Sequence, residues 1–290
     1  MIPVLVAAAL FGAAVPLSKL ILGRWDEIAL AGSLYLSSGV GLQVARGVLK
    51  SGEALRRPDV PWLLGAILFG GIAAPVALLY GLRFTTGYAG SLLVNLETVF
   101  TALLAVSFFG ERLTWRDRVT LVILIAGACA VGLGSAGAGE APRPVLGGSL
   151  VTLACLFWGL DNNFTQRISS RDPLQIGSLK GLAAGSTNLI VAFILGQRIP
   201  PGAGPICGAV LIGLFSYGAS LALFVLGLRK LGSARTAALF GTAPLSGVLL
   251  SWLALGEIPG PLVVAGGTIM IAGVLWMSLG SRSAKSESCT

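Results

Sequence analysis

Histidine does not occur in this chain. That absence removes the side chain most often used as a general base near neutral pH, and with it any His-ligated metal site. Charge is scarce as well. Asp, Glu, Lys and Arg make up 11% of 290 residues, while 55% are hydrophobic and the mean hydropathy is +0.88. So little charge cannot coat a water-soluble surface, and the composition points to a protein whose solvent is lipid. The four cysteines build no disulfide framework: Cys129, Cys155 and Cys207 lie in separate apolar runs, Cys289 lies in a polar tail, and no CxxC pair occurs. There is no GxxxxGK[ST] loop to cradle a phosphate, no nucleophile elbow and no cluster of metal ligands. An enzyme needs a nucleophile, metal or acid/base pair converging in one place, and this inventory is thin. No enzymatic activity, cofactor, metal or built-in ATP motor is expected. The net charge of +8 is spread through short loops rather than gathered on one stripe, which argues against nucleic acid as a partner. Met1 leads straight into an apolar run with no basic stretch before it, so no cleaved presequence is expected.

What the chain does contain is apolar runs. Charges and Pro/Gly clusters separate ten of them, at about 3–23, 28–46, 60–82, 87–109, 118–136, 146–167, 173–196, 205–228, 234–255 and 260–280. Each is near the ~20 residues that a bilayer-spanning helix needs. The frame also repeats. Gly81-Leu82-Arg83, Gly110-Glu111 and Ala126-Gly127 recur 146 residues later as Gly227-Leu228-Arg229, Gly256-Glu257 and Ala272-Gly273. Upstream, Phe11-Gly12 falls on Trp158-Gly159 at an offset of 147. One unit is written twice.

Lys and Arg on alternate sides number fourteen against four. The richer side holds Arg46, Lys50, Arg56, Arg57, Arg112, Arg116, Arg118, Arg167, Arg171, Arg229, Lys230, Arg235, Arg282 and Lys285; the poorer holds Arg24, Arg83, Arg143 and Arg198. The positive-inside rule then places both termini in the cytoplasm. Five spans per copy is an odd number, so the second copy must run through the membrane upside down. The expected fold is an all-α membrane protein with ten transmembrane helices in two inverted five-helix repeats, residues 1–137 and 147–280, joined by a linker at 138–146 and followed by a disordered cytoplasmic tail at 281–290. That plan is usual for secondary transporters, with the site at mid-membrane between the copies. Trp25, Trp62, Trp115, Trp252 and Trp276 fall near expected membrane–water boundaries. Trp158 lies well inside the sixth span, as a cavity residue or a packing residue.

Four ionisable side chains fall within spans: Lys19, Glu97, Asp161 and Lys180. Each costs roughly 2.5–3.5 kcal/mol at a helix centre, so each needs a partner or a water-filled cavity. At ~1.5 Å per residue, Asp161 lies ~22 Å below the outer face and Lys180 ~10 Å above the inner one. In a core ~30 Å thick these are nearly level, on consecutive helices, and they read as an ion pair, first structural and second a substrate contact. Glu97 sits ~16 Å from the outer face, close to the midplane. Lys19 lies nearer the outer end of its span, where it can snorkel, and would have to reach inward to meet Glu97. Glu97 is therefore a proton carrier, an anchor for a substrate amine, or a packing glutamate assisted by Asn95. Helical spacing groups Trp158, Asp161, Asn162 and Thr165 on one face and Gly90, Glu97 and Thr101 on another, either lining a cavity or hydrogen-bonding between helices. Pro16, Pro75 and Pro244 fall inside spans and free the carbonyls of Gly12, Gly71 and Phe240, suggesting hinges. Gly181 and Gly185 form a GxxxG spacing suited to close helix packing.

The run from Ala89 to Leu104, continuing through Phe109-Gly110-Glu111-Arg112-Leu113-Thr114, resembles the EamA family of the drug/metabolite transporter superfamily. Its second-copy counterpart runs from Ala237 to Glu257, and Phe11-Gly12 followed by Lys19, together with Phe157-Trp158-Gly159, extend the resemblance over nearly the whole chain. The family often has proline after the acid of the fourth span, whereas Thr98 follows Glu97 here; the second copy keeps Pro244. The resemblance implies alternating access and export of amino acids, other metabolites or drugs across a bacterial inner (plasma) membrane. The expected function is export of small polar or amphipathic metabolites, amino acids first, with protons as a coupling ion. Drug efflux, a lipid-linked carrier or a non-transporting membrane scaffold are the alternatives. The expected partners are a small-molecule substrate and the lipid bilayer, and the oligomeric state is left open. Candidate substrate-binding residues are Glu97, Trp158, Asp161, Asn162, Lys180, Lys19 and Thr101.

Overall fold

The computed structural model describes residues 1–49, 52–110, 113–137, 139, 141–231, 236 and 239–280. Lys50, Glu111, Arg112, Glu140 and Arg235, parts of the expected linker and the whole expected tail with Arg282 and Lys285 lie outside the described residues. Among the described residues helix is the only regular secondary structure apart from one isolated bridge between Glu53 and Arg171.

Eight segments are long and apolar enough to cross a membrane. Four are single helices in the first part of the chain and its centre: α1 (Ile2–Leu22), α2 (Glu27–Val48), α7 (Trp115–Gly137) and α8 (Pro144–Arg167). α9 (Pro173–Ile194) is a fifth. The other three are composite. One joins α3 (Val60–Ala66), a π-helical segment (Ile67–Ala73) and α4 (Ala74–Phe84). Another joins α5 (Gly87–Leu93) to α6 (Leu96–Phe109), and the third joins α10 (Ala203–Ile212), a π-helical segment (Gly213–Ala219) and α11 (Ser220–Leu231). Two further apolar helices, α12 (Ala243–Leu255) and α13 (Pro261–Gly280), are not among the eight. α8 starts at Pro144, inside the expected linker, because proline's missing N–H costs nothing in a first helical turn.

The irregularities have local causes. Pro75 offers no N–H to the turn before it, and the chain there widens into the first π segment. The carbonyls left over are taken up by side chains from other helices: Tyr35 Oη and Trp158 Nε1 donate to the Gly70 oxygen at 2.9 and 3.2 Å, and Asn188 Nδ2 donates to that of Gly71 at 3.4 Å. The fourth span bends at residues 94–95 without any proline. Asn95 causes it, donating its own side-chain N–H back to Leu92 O at 3.0 Å in competition with the helical ladder. Pro244 does not interrupt a continuous helix. It opens α12, in the first turn, after a turn in which Thr242 Oγ1 donates to Leu239 O. Gly110 and Gly256 end α6 and α12 in the left-handed region, both at φ 68°.

Glycine sets the closest helix contacts. A Cβ on Gly181 would lie 2.6 Å from Gly39 Cα, and one on Gly185 2.6 Å from Leu36 Cα, so α9 rests backbone to backbone on α2. Gly127 and Gly266 do the same for α7 and α13. α1 packs on α12 and on α11, and α8 packs on α6 and on α4. Shifting every helix by one repeat exchanges α1·α12 with α8·α6 and α1·α11 with α8·α4, while α2·α9 and α7·α13 map onto themselves. Trp62, Trp115, Trp252 and Trp276 show their rings at the surface, as expected for interfacial residues. Trp25 does not. It is 2% exposed and donates through Nε1 to Pro205 O, because the joint it belongs to is folded onto the start of α10.

Side-chain contacts gather the joints into two sets. On the side where α1 begins, Arg171 pairs with Asp59 at 2.7 Å and with Glu53 at 2.9 Å, and Arg46 with Asp172 at 2.8 Å. On the far side, Asp26 Oδ2 accepts from Arg198 N at 2.7 Å, Gln197 Oε1 accepts from Ile28 N and Ala29 N, and Arg83 pairs with Glu27 at 2.6 Å.

Candidate substrate cavity

Between α1, α2, α4, α6, α8, α9 and α11 lies a partly open cavity of about 420 Å³. Helix packing builds it. Gly159 of α8 sits so near α6 that its Cβ would lie 3.0 Å from the backbone of Phe100 and Thr101, which brings the next turn of α8 against Glu97. Asn162 Nδ2 donates to Glu97 Oε1 at 2.7 Å and to Thr101 Oγ1 at 3.0 Å. At the preceding residue, Asp161 Oδ2 accepts from Lys180 Nζ at 2.6 Å, and its Oδ1 accepts from Thr165 Oγ1 at 3.0 Å. Gly70 is obligatory beside this pair, because a side chain there would occupy the Asp161 carboxylate.

Glu97, Trp158, Asp161, Asn162 and Lys180 all line the cavity. Thr101 stands behind Asn162 as its second acceptor. Lys19 is placed elsewhere. Its ammonium lies 3.4 Å from Glu257 Oε1 and donates to Leu82 O and Thr85 O at the far-side joints, because α1 carries it outward, away from Glu97. Nor does Asn95 assist Glu97; its side chain is spent on Leu92.

The cavity has a charged end and an aromatic wall. No Lys or Arg among the described residues lies within 4.0 Å of the Glu97 carboxylate, whereas Asp161 is paired. Two carboxylates therefore face the space with one ammonium. The wall is made by Phe11, Tyr35, Trp158, Tyr217, Phe224 and Phe240, of which Tyr35–Tyr217 and Phe11–Phe240 meet tilted at 5.7 and 5.3 Å between ring centroids. Sequence reasoning did not single out Tyr35, Tyr217, Phe224, Phe240, Ser38 or Ser220 as site residues. The available signal was a polar or aromatic residue deep within a span, shared by many packing residues. Leu42 of α2, Gly177 of α9, Phe224 of α11 and Phe240 place the cavity in the half of the bundle toward the side where α1 begins.

A helical bundle with a partly charged cavity between packed apolar helices defines a multi-pass membrane protein of the transporter class. The chain belongs to the EamA-like transporter family, whose model matches residues 1–133 and 145–279. It is 28% identical to an uncharacterized transporter from Methanothermobacter thermautotrophicus over 289 residues, covering 94% of this chain and 84% of that one. It is 26% identical to a probable terminal-alkyne amino-acid exporter from Streptantibioticus cattleyicolor, covering 97% and 93%. A solved crystal structure at 20% identity covers 97% of both chains with a TM-score of 0.68, a likeness of fold.

Proposed function

We propose that the chain is a secondary active exporter of small polar or amphipathic metabolites, amino acids foremost, working by alternating access. The observation that carries this reading is the charge count in the cavity: among the described residues Glu97 has an amide partner but no cation, beside a completed Asp161–Lys180 pair. A half-buried carboxylate facing the cavity with no cation on it among the described residues suits a substrate ammonium or a proton. Asn162 and Lys180 offer N–H donors to a carboxylate in the same space, and the aromatic wall accepts an apolar side chain. The relative named as a probable terminal-alkyne amino-acid exporter supports the amino-acid reading.

Residues 1–137 and 147–280 act as inverted halves of five spans each, a reading supported by the helix pairing, the paired π segments and the paired left-handed caps. The basic excess on the side where α1 begins supports cytoplasmic termini in an inner membrane, and the cavity in that half suits loading from inside. Glu97 exchanges a proton for the substrate's ammonium, which couples export to a proton gradient. Counterflow of a labelled amino-acid mixture in proteoliposomes, with and without a pH gradient, tests this. Wild type should exchange solute, and Glu97→Gln should lose its response to the gradient. If neither moves any solute across a broad panel, amino-acid export is abandoned. The aromatic wall then favours drug efflux.

A further inference from the structure

The far-side end of the bundle holds charges that the cavity does not use. Lys19 and Glu257 are each less than a quarter exposed, at 22% and 14% of their side chains, and together they reach two other segments. Lys19 Nζ donates to Leu82 O at 3.3 Å and to Thr85 O, at the end of α4. Glu257 Oε2 accepts from the backbone N–H groups of Gly87 and Tyr88, at 2.6 and 3.3 Å, where α5 begins. The approach requires glycine: a Cβ on Gly87 would lie 2.8 Å from Leu255 Cδ1 and Ser251 Oγ and 3.1 Å from Glu257 Oε2. One lysine and one carboxylate, from α1 and from the joint after α12, thus hold the joint between α4 and α5.

That joint lies on the seam that a transport cycle must part. α1, α11 and α12 pack together, and so do α4, α6 and α8; the cavity lies between these groups in one half of the bundle. In the other half α5 closes the seam against α12, with Ser91 so near Gly247 that a Cβ there would lie 2.7 Å from Ser91 Oγ. Opening toward the far side must lift α5 from α12. It must also draw Gly87 and Tyr88 away from Glu257, and Leu82 and Thr85 away from Lys19.

We propose that Lys19 and Glu257 form the far-side gate, a two-residue latch that holds the cavity accessible from the side of α1's start and releases when the far side opens. This rests on the alternating-access reading above. The latch is local and polar, and water at the membrane edge can solvate both charges once they separate. It also gives the repeated Gly-Glu motif a task in the second copy: Gly256 turns the chain through its left-handed conformation and Glu257 follows as the clasp.

Two reporters test the latch in a background whose four cysteines are replaced. Ser91→Cys reports the closed far half and Ser38→Cys the cavity. Reaction with a membrane-impermeant maleimide is measured from each side of oriented vesicles. In Glu257→Gln and in Lys19→Met, far-side labelling of the Ser91→Cys reporter should rise about tenfold, the scale of one lost charged hydrogen bond, while labelling of the Ser38→Cys reporter from the other side falls. Lys19→Arg, which keeps the cation, should restore most of the wild-type pattern. Unchanged labelling at both reporters overturns the proposal, and so does a rise at both, which marks a loosened fold rather than a shifted equilibrium. Counterflow in the same vesicles separates the two readings. Solute exchange with unchanged labelling removes the gate and leaves the exporter; a reciprocal labelling shift with no exchange of any amino acid removes the substrate reading and leaves the gate.

Discussion

Replacing Lys180 with methionine should cost far more than its position beside a cavity suggests. The substitution keeps the aliphatic length of the side chain and removes a 2.6 Å contact to Asp161 Oδ2, leaving that carboxylate only Thr165 Oγ1 on its other oxygen. The Asp161 side chain is 5% exposed and cannot turn to bulk water, while Lys180 at 22% already faces the cavity. Breaking a buried pair from one end costs about 3–5 kcal/mol. Because cavity water reaches part of this pair, the lower end, about 3 kcal/mol, is the expected loss. Removing both charges with Lys180→Met/Asp161→Asn should cost about 1 kcal/mol, since replacing an entire pair is often near neutral. The double should therefore cost about 2 kcal/mol less than Lys180→Met alone, whereas for independent side chains it would cost the sum of the singles. Unfolding in mixed micelles, followed by the fluorescence of the six tryptophans, measures all four corners of this cycle. If the double variant loses the sum of the singles, the two side chains are not held as a pair and the charge count in the cavity is wrong.

Three further outcomes follow from the same geometry. Gly70→Ala should weaken substrate binding as strongly as loss of the ion pair does, because its methyl group displaces the Asp161 carboxylate, whereas Gly137→Ala, with open space around its Cα, should have no effect; a binding assay on both variants checks this. Asn162→Leu removes the amide partner of Glu97 and should lower affinity for an ammonium-bearing substrate by roughly tenfold, read by competition binding. Gly159→Val should separate α6 from α8 and destabilise the protein by about 1–3 kcal/mol in the same unfolding assay, with Phe100 and Thr101 backbone atoms unable to yield.

The sequence carried depth well and rotation poorly. Counting residues from span ends put Asp161 and Lys180 at one level, and the structure joins them at 2.6 Å. The same arithmetic left Lys19 free to reach toward Glu97, but height along a helix says nothing about which neighbour a side chain faces, and Lys19 turns outward to Glu257. Glu97 illustrates the same limit: Asn95 is near it in sequence, while Asn162, 65 residues away, is the residue that α8 presents to it. The repeated glycines and Gly-Glu motifs were visible because each needs a special backbone or a close approach. The π segments were not, since their composition is that of any apolar helix; Pro75 marked the first, and nothing comparable stands in the second. Trp25 was misplaced at the lipid interface because its burial depends on Asp26 and Arg198, 172 residues apart, closing the far-side joints.

Saturation binding to the purified protein tests the central claim most directly: that the cavity takes an ammonium-bearing small molecule at Glu97. Radiolabelled amino acids would be titrated against wild type, Glu97→Gln and Trp158→Phe. The account predicts one saturable site per chain, weakened at least roughly tenfold by Glu97→Gln, where the charge is lost, and only mildly by Trp158→Phe, which keeps the aromatic wall. Equal affinity in wild type and Glu97→Gln would contradict it.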